Sequence, residues 1–241
     1  MDYFHCPPQN IHGTAFLIEG EEFSHLVHVM RKREGEEIRI VDGNGNAFNA
    51  RIDEVKKKTA RGTILHSYKN HHESGIDLTV AAGVLKNPSK YDFLVEKVTE
   101  IGARRVIPLL TERTIPSHAK VDRWRKLALA AMKQSGRSYL PHVHELTRLD
   151  EMIVGNDSFD LKIIAHEQAE TAERSTLTRM KSARSILILI GPEGGFSDDE
   201  VARCMAAQFK LLYLGDRRLR TETAAIVAAT LALCQDALHL P

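Results

Sequence analysis

The chain has 241 residues, a formal net charge of +1 and an apolar fraction of 43%, which fits one large or two small domains with proper cores. No run of about eighteen apolar residues occurs, so the sequence offers no membrane-spanning helix. Met1 to Cys6 lacks the basic-then-apolar pattern of a secretory signal, and Cys6, Cys204 and Cys234 are too few and scattered for a disulfide framework, so a cytoplasmic location with reduced thiols is expected.

Residues 1–72 read as a mainly β domain. Thr14 to Ile18, Glu37 to Val41, Ala47 to Ile52 and Thr63 to His66 are short strand candidates, and Asp42-Gly43-Asn44-Gly45-Asn46 is a hairpin-turn signal between two of them. One helix, roughly Glu21 to Arg31, interrupts the strands, with Phe23, Leu26, Val27 and Met30 on one face. Asn70-His71-His72-Glu73-Ser74-Gly75 is polar and aperiodic and marks the boundary.

Residues 73–241 alternate strands with helices, the pattern of a parallel sheet covered on both faces. Strands are expected at Leu78–Val84, Arg105–Leu110, Leu161–Ala165, Ile186–Ile190 and Leu211–Leu214. A first helix carries Ser89 as N-cap, Leu94, Val98 and Ile101 as its buried stripe, and Gly102 as its C-terminal cap. A second, Arg123 to Gln134, turns Trp124, Leu127 and Ala131 inward. A last helix, Thr221 to Leu238, carries Ala224, Ala225, Ala228, Ala229 and Ala232, small residues that allow close approach of another helix.

Two loops near the C-terminus share one plan of apolar strand, glycine turn and helix start. The first is Gly191-Pro192-Glu193-Gly194-Gly195-Phe196-Ser197, closed by a capping box between Ser197 and Glu200. The second runs from Leu214-Gly215 through Asp216-Arg217-Arg218-Leu219-Arg220-Thr221-Glu222. Such turns leave bare main chain at the carboxyl edge of a sheet, where α/β proteins bind ligands. Neither loop reads Gly-x-Gly-x-x-Gly or ends in Gly-Lys-Ser/Thr, so a dinucleotide fold or a P-loop is poorly supported.

Charge is unevenly spread. Residues 1–70 hold ten basic and ten acidic side chains, residues 86–148 thirteen and six, and residues 149–241 ten and fourteen. The basic middle segment is a plausible footprint for a polyanion. His25 with His28 and His142 with His144 share faces but lack a third ligand, so no metal site is expected, and no Gly-x-Ser-x-Gly elbow supports a hydrolase.

The pair GPEGGFS-x-x-E and LG-x-R-x-LR-x-ETA resembles the RsmE family of methyltransferases that modify small-subunit ribosomal RNA. The resemblance extends to Phe93–Ala103, to Gln134-Ser135-Gly136-Arg137, and in the N-terminal domain to Phe23-Ser24-His25-Leu26, Met30-Arg31 and Val41–Gly45. It implies an α/β fold: a C-terminal parallel-sheet SPOUT methyltransferase domain with a trefoil knot, behind a small PUA-like β-barrel domain. It also implies S-adenosylmethionine as methyl donor, N3 of a uridine in 16S ribosomal RNA as acceptor, and a homodimer.

On that resemblance, Gly191, Pro192, Glu193, Gly194, Gly195, Leu214, Gly215, Leu219, Arg220 and Thr221 bind the cofactor, with the strand end at Ala165, His166 and Glu167 completing the wall. Arg220 is the candidate for stabilising the anionic uracil, since arginine keeps its charge at any working pH. Glu222 either receives a proton or caps its helix. Arg31, Lys86, Arg113 and Arg137 are the candidate RNA contacts, although the chain opens Met1-Asp2-Tyr3-Phe4 where the family often has an arginine. Two other readings stay open, an RNA-binding assembly factor without catalysis and a SPOUT enzyme acting on transfer RNA.

Overall fold

A computed structural model describes residues 3–155, 158–166 and 173–234. It divides into two compact units, one of residues 1–73 with 129–140 and one of residues 74–128 with 141–241.

The first unit is a six-stranded sheet of β1 (Tyr3–His5), β2 (Ile11–His12), β3 (Ala15–Glu19), β4 (Glu37–Val41), β5 (Asn46–Val55) and β6 (Thr59–Lys69), in the order β1-β4-β5-β6-β3-β2. All neighbours are antiparallel except β1 and β4. Phe4, Phe16, Ile18, Ile38, Ile40 and Ile52 alternate inward and pack with Phe23 and Leu26 from the helical segment. The expected hairpin forms between β4 and β5. The Asp42 carboxylate accepts from the main-chain N–H groups of Asn44 and Asn46 at 2.7 and 3.0 Å and from the Asn46 amide at 2.6 Å.

Three details differ from the sequence reading. The strands β5 and β6 run well past the predicted Ile52 and His66, and Gly62 lets the β5 main chain approach where a Cβ would lie 1.9 Å from the Arg51 carbonyl. The single predicted helix is α1 (Gly20–Ser24) followed by a π-helical turn, His25–Val29. Residues 129–140, expected in the C-terminal domain, group with the first unit, where Met132 is buried with Val41 and Ala47.

In the second unit β7 (Asp77–Gly83), β8 (Arg105–Leu110), β9 (His142–Val143), β10 (Thr147–Arg148), β11 (Leu161–Ala165), β12 (Ser185–Ile190) and β13 (Lys210–Leu212) form one parallel sheet. Its order is β10-β8-β7-β12-β11-β13, with β9 also on β8. Ile186 to Ile190 are all buried, as expected of a strand covered on both faces. Its helices are α2 (Pro88–Ile101), the first half of α3 (Val121–Ser135, whose residues from 129 onward group with the first unit), α4 (Leu149–Val154), α5 (Glu173–Met180), α6 (Asp198–Ala206) and α7 (Thr221–Leu233).

The N-cap of α2 is Asn87 rather than Ser89, because Asn87 Oδ1 accepts from Ser89 N at 3.0 Å and Pro88 fills the first helical position. Gly102 closes α2 with φ +129°, as predicted. Trp124 of α3 is buried, stacks near Tyr91 of α2 and donates its indole N–H to Asp92 at 3.0 Å. Ala225, Ala228, Ala229 and Ala232 of α7 are buried within this chain, where the small side chains let α7 lie close against α2 and the sheet. The part of the last predicted helix beyond residue 234 lies outside the described residues.

Candidate active site

Because the sheet is parallel, β11, β12 and β13 end at one edge, and the loops that follow them gather there. They enclose a solvent-open cleft. Its floor is the strand ends at Ala165, His166, Ile190 and Leu212. One wall is the first glycine loop, with Gly191, Pro192, Glu193, Gly194, Gly195 and Phe196. The other is the second loop, with Leu214, Gly215, Leu219 and Thr221. Eleven of the predicted cofactor residues therefore meet around one space, although they come from three separate stretches of chain.

The first loop is held from several sides. Ser197 and Glu200 form the expected capping box, with Ser197 N donating to Glu200 Oε2 at 2.9 Å and Glu200 N donating to Ser197 Oγ at 3.3 Å. The other oxygen of this buried carboxylate accepts from Glu112 N at 2.7 Å, which fastens the loop after β8 to the start of α6. Glu193 Oε1 accepts from Lys86 N at 3.0 Å. Pro192 lies so close to Gly83 that a Cβ there would come within 2.6 Å of the proline ring. A Cβ on Gly191 would meet the Gly195 main chain at 2.9 Å, so the turn closes on itself only with glycine.

The second loop is joined to the first by Thr221, whose buried hydroxyl donates to the Gly191 carbonyl at 2.9 Å. The Tyr213 hydroxyl bonds to the Asp216 carboxylate within that loop. Gly215 takes φ +103°, a backbone region that favours glycine.

Chemically the cleft combines an apolar wall of Ile190, Phe196, Leu212, Leu219 and Ala224 with main-chain N–H and C=O groups from two tight turns. Arg113, Arg217 and Arg218 add positive charge against the carboxylate of Glu193. Such a site suits a ligand with a flat ring, hydroxyls and a carboxylate. Among the described residues no group of His, Cys, Asp or Glu could hold a metal ion.

Several expectations need correction. Arg113, expected to contact RNA, is exposed at the cleft and also donates to the Gly194 carbonyl at 2.8 Å, so it braces the first loop as well. Arg137, also assigned to RNA, is 2% exposed and paired with Glu73 at 2.8 Å, so it presents no surface to a polyanion. Glu222 does not line the cleft. It is buried with Lys90 of α2, 4.0 Å away, and its neighbours Thr221 and Ala224 are the residues that face the ligand space. Arg220 is exposed at the N-cap of α7, just outside the lining. Arg31 and Lys86 are exposed, and Glu167 lies outside the described residues.

Phe196 and Tyr213 are cleft residues that the sequence reading does not name as such, though both stand inside or beside the two loop motifs. Gly83 and Glu112 carried no sequence signal. Their roles come from strand neighbours distant in the chain.

The chain matches the model of an RNA methyltransferase domain over residues 72–233 and that of an RNA methyltransferase PUA domain over residues 18–65. It is 30% identical over 227 residues to the ribosomal RNA small subunit methyltransferase E of Bacillus subtilis, covering 90% of this chain and 88% of that one. The protein of the same name from Synechocystis is 30% identical over 235 residues, 95% of this chain and 75% of that one. The fold superposes with a TM-score of 0.86 on a crystal structure of the ribosomal RNA small subunit methyltransferase E from Neisseria gonorrhoeae bound to S-adenosyl methionine. That match has 29% identity and covers 98% of each chain.

Proposed function

This chain belongs to the ribosomal RNA small subunit methyltransferase E family, and on that premise we propose that it methylates N3 of one uridine in 16S ribosomal RNA. It is an S-adenosylmethionine-dependent methyltransferase of small-subunit ribosomal RNA. The observation that carries this reading is the interlock of the two glycine loops around one cleft at the carboxyl edge of the sheet.

The cleft fits the cofactor. Its apolar wall suits adenine, its main-chain groups suit ribose hydroxyls, and the arginines suit a carboxylate. Bound there, S-adenosylmethionine supplies a methyl group already activated by its sulfonium. The protein's own work is to align the acceptor and to lower the cost of removing the N3 proton of uracil. We assign to Arg220, exposed at the N-cap of α7, the role of offering a permanent charge to the developing anion. Glu222 acts as a positioning residue through Lys90, holding the first turn of α7 on α2. Among the described residues no cysteine or serine lines the cleft, which favours direct transfer over a covalent intermediate. Isothermal calorimetry tests the site: S-adenosylmethionine should bind with one site per chain, and no heat of binding would overturn the assignment.

We keep Arg31, Arg113 and Lys86, the last held at its main chain by Glu193, as the candidate RNA contacts. We assign the substrate to the small ribosomal subunit in the cytoplasm; among the described residues no helix is long and apolar enough to cross a membrane. The assembly proposed is a two-fold homodimer. Its support is apolar surface on α2 and α7, where Phe93 is exposed and Ile226, Val227 and Leu231 are half-buried. Light scattering that finds an active monomer at micromolar concentration would exclude it.

A further inference from the structure

Glu200, in the first turn of α6, is 2% exposed, yet among the described residues its carboxylate has no ion-pair partner. A capping box needs one side-chain oxygen at this position, and glutamine serves it as well as glutamate. Here Oε2 takes that part, accepting from Ser197 N at 2.9 Å. Oε1 accepts from Glu112 N at 2.7 Å, 88 residues away in the chain. Only a carboxylate offers both acceptors, since an amide would turn its NH2 towards one of the two N–H groups. The helix cap accounts for one oxygen, and the bond to Glu112 is the use of the other.

The loop fastened by that bond is short and braced within itself. Thr114 N donates to the Thr111 carbonyl at 3.1 Å, and Thr111 N to the Thr114 hydroxyl at 3.0 Å, so residues 111–114 form one tight turn after β8. Its tip returns to the first glycine loop, where Arg113 Nη1 donates to the Gly194 carbonyl at 2.8 Å. The turn therefore holds the cofactor loop at two points, its base at Glu200 and its tip at Gly194. Arg113 is exposed, and among the described residues its Nε and Nη2 have no partner. That edge of a guanidinium can take a phosphate through two parallel hydrogen bonds.

We infer that Glu200, which does not line the cleft, is a positioning residue that couples the two substrates of the reaction. RNA held at Arg113 and cofactor held at the Gly191–Gly195 turn each stabilise the same arrangement of the two loops, so each raises the affinity for the other. A phosphate that fixes the guanidinium fixes the Gly194 carbonyl, and a cofactor that orders the turn orients the guanidinium. Such coupling is reciprocal and typically amounts to about 5- to 150-fold in affinity. The methyl donor is then held most tightly when an acceptor is present. This coupling rests on the RNA reading of Arg113 above and goes beyond it, because it assigns a role to a buried residue that touches neither ligand.

The test uses the full chain, small ribosomal subunits and labelled S-adenosylhomocysteine, which fills the donor site and transfers nothing, in equilibrium dialysis. In wild type, saturating subunits should raise S-adenosylhomocysteine affinity about five- to tenfold. Glu200→Gln should bring that factor down to about one, even at subunit concentrations that saturate the variant. Ser197→Ala removes the hydroxyl half of the capping box and leaves the bond from Glu112 to Glu200, so it should keep the wild-type factor. Thermal unfolding checks that the variants fold. If Glu200→Gln does not, Arg113→Met, which deletes the bond at the tip and keeps the stem, should lose the factor in its place. In steady-state methylation of subunits by folded Glu200→Gln, the KM for S-adenosylmethionine should rise more than kcat falls. A factor of about one in a wild type that binds both ligands, or equal loss of the factor in Ser197→Ala and Glu200→Gln, would overturn the inference alone. A wild-type chain that binds S-adenosylhomocysteine but no subunits would overturn the RNA reading beneath it.

Discussion

Thr221 and Gly191 are thirty residues apart in the chain, and the hydroxyl of one donates to the carbonyl of the other at 2.9 Å. This bond joins the first glycine loop, where it leaves β12, to the end of the second, where α7 begins. It makes the cleft one object rather than two neighbouring turns. Thr221→Val keeps the shape of the side chain and leaves the Gly191 carbonyl without its donor. Leaving such a buried acceptor unsatisfied costs about 1–3 kcal/mol. We expect S-adenosylmethionine affinity to fall by roughly five- to tenfold, with a melting temperature a few degrees lower. Calorimetry that shows unchanged affinity would mean the loops hold their places without this link.

The glycines of the first loop should not be equivalent. At Gly191 a Cβ meets the main chain of Gly195, which cannot move without opening the turn, so Gly191→Ala should abolish measurable cofactor binding. At Gly194 a Cβ meets the stem of Arg113 at 3.2 Å, and that long side chain can give way. Gly194→Ala should therefore bind with a modest loss, whereas Gly194→Val, with two further carbons, should displace Arg113 and weaken binding more. Equal losses for Gly191→Ala and Gly194→Ala, read by the same titration, would contradict this account of the turn.

Much of this site was legible in the sequence because it is local. The strand ending at Ile190, the capping box of Ser197 with Glu200 and the helix start at Thr221 are each set by neighbours within a few residues. What stayed hidden depends on distant pairs. Arg137 reads as a surface charge, and only Glu73, contributed by a remote part of the chain, shows that it is structural, whereas Arg113 is exposed and braces the Gly194 carbonyl as well. The alanines of α7 announced close packing correctly but not its partner, which is α2 and the sheet of the same chain. The very short strands β1, β2, β9 and β10 carry too few residues to show a period.

Arg220 and Glu222 separate chemistry from architecture. Arg220→Ala should lower the methylation rate on the order of 100-fold while changing cofactor affinity little, because its charge matters most when uracil becomes anionic. Glu222→Gln should keep most of the rate, since an amide can still pack against Lys90. Rate measurements at saturating cofactor decide both. A Glu222→Gln enzyme that binds normally but is inactive would restore the proton-acceptor role to Glu222.

The buried ion pair of Arg137 with Glu73 gives a stability prediction independent of activity. Glu73 accepts from Arg137 Nη2 at 2.8 Å and from the main-chain N–H groups of Ser138 and Tyr139 at 2.9 Å each. Removing one partner deprives the other buried charge of its counter-ion, at a cost of about 3–5 kcal/mol. Glu73→Ala and Arg137→Ala should each lower stability to denaturant by that amount. Variants as stable as wild type would mean that the residues act at the surface after all.

The central claim is the reaction itself. Purified protein, S-adenosylmethionine with a labelled methyl group and small ribosomal subunits should give labelled ribosomal RNA. Digestion to nucleosides and mass spectrometry should then place the label in 3-methyluridine. Label on a ribose or on another base would contradict the proposed acceptor, and no transfer to small-subunit RNA would contradict the account as a whole.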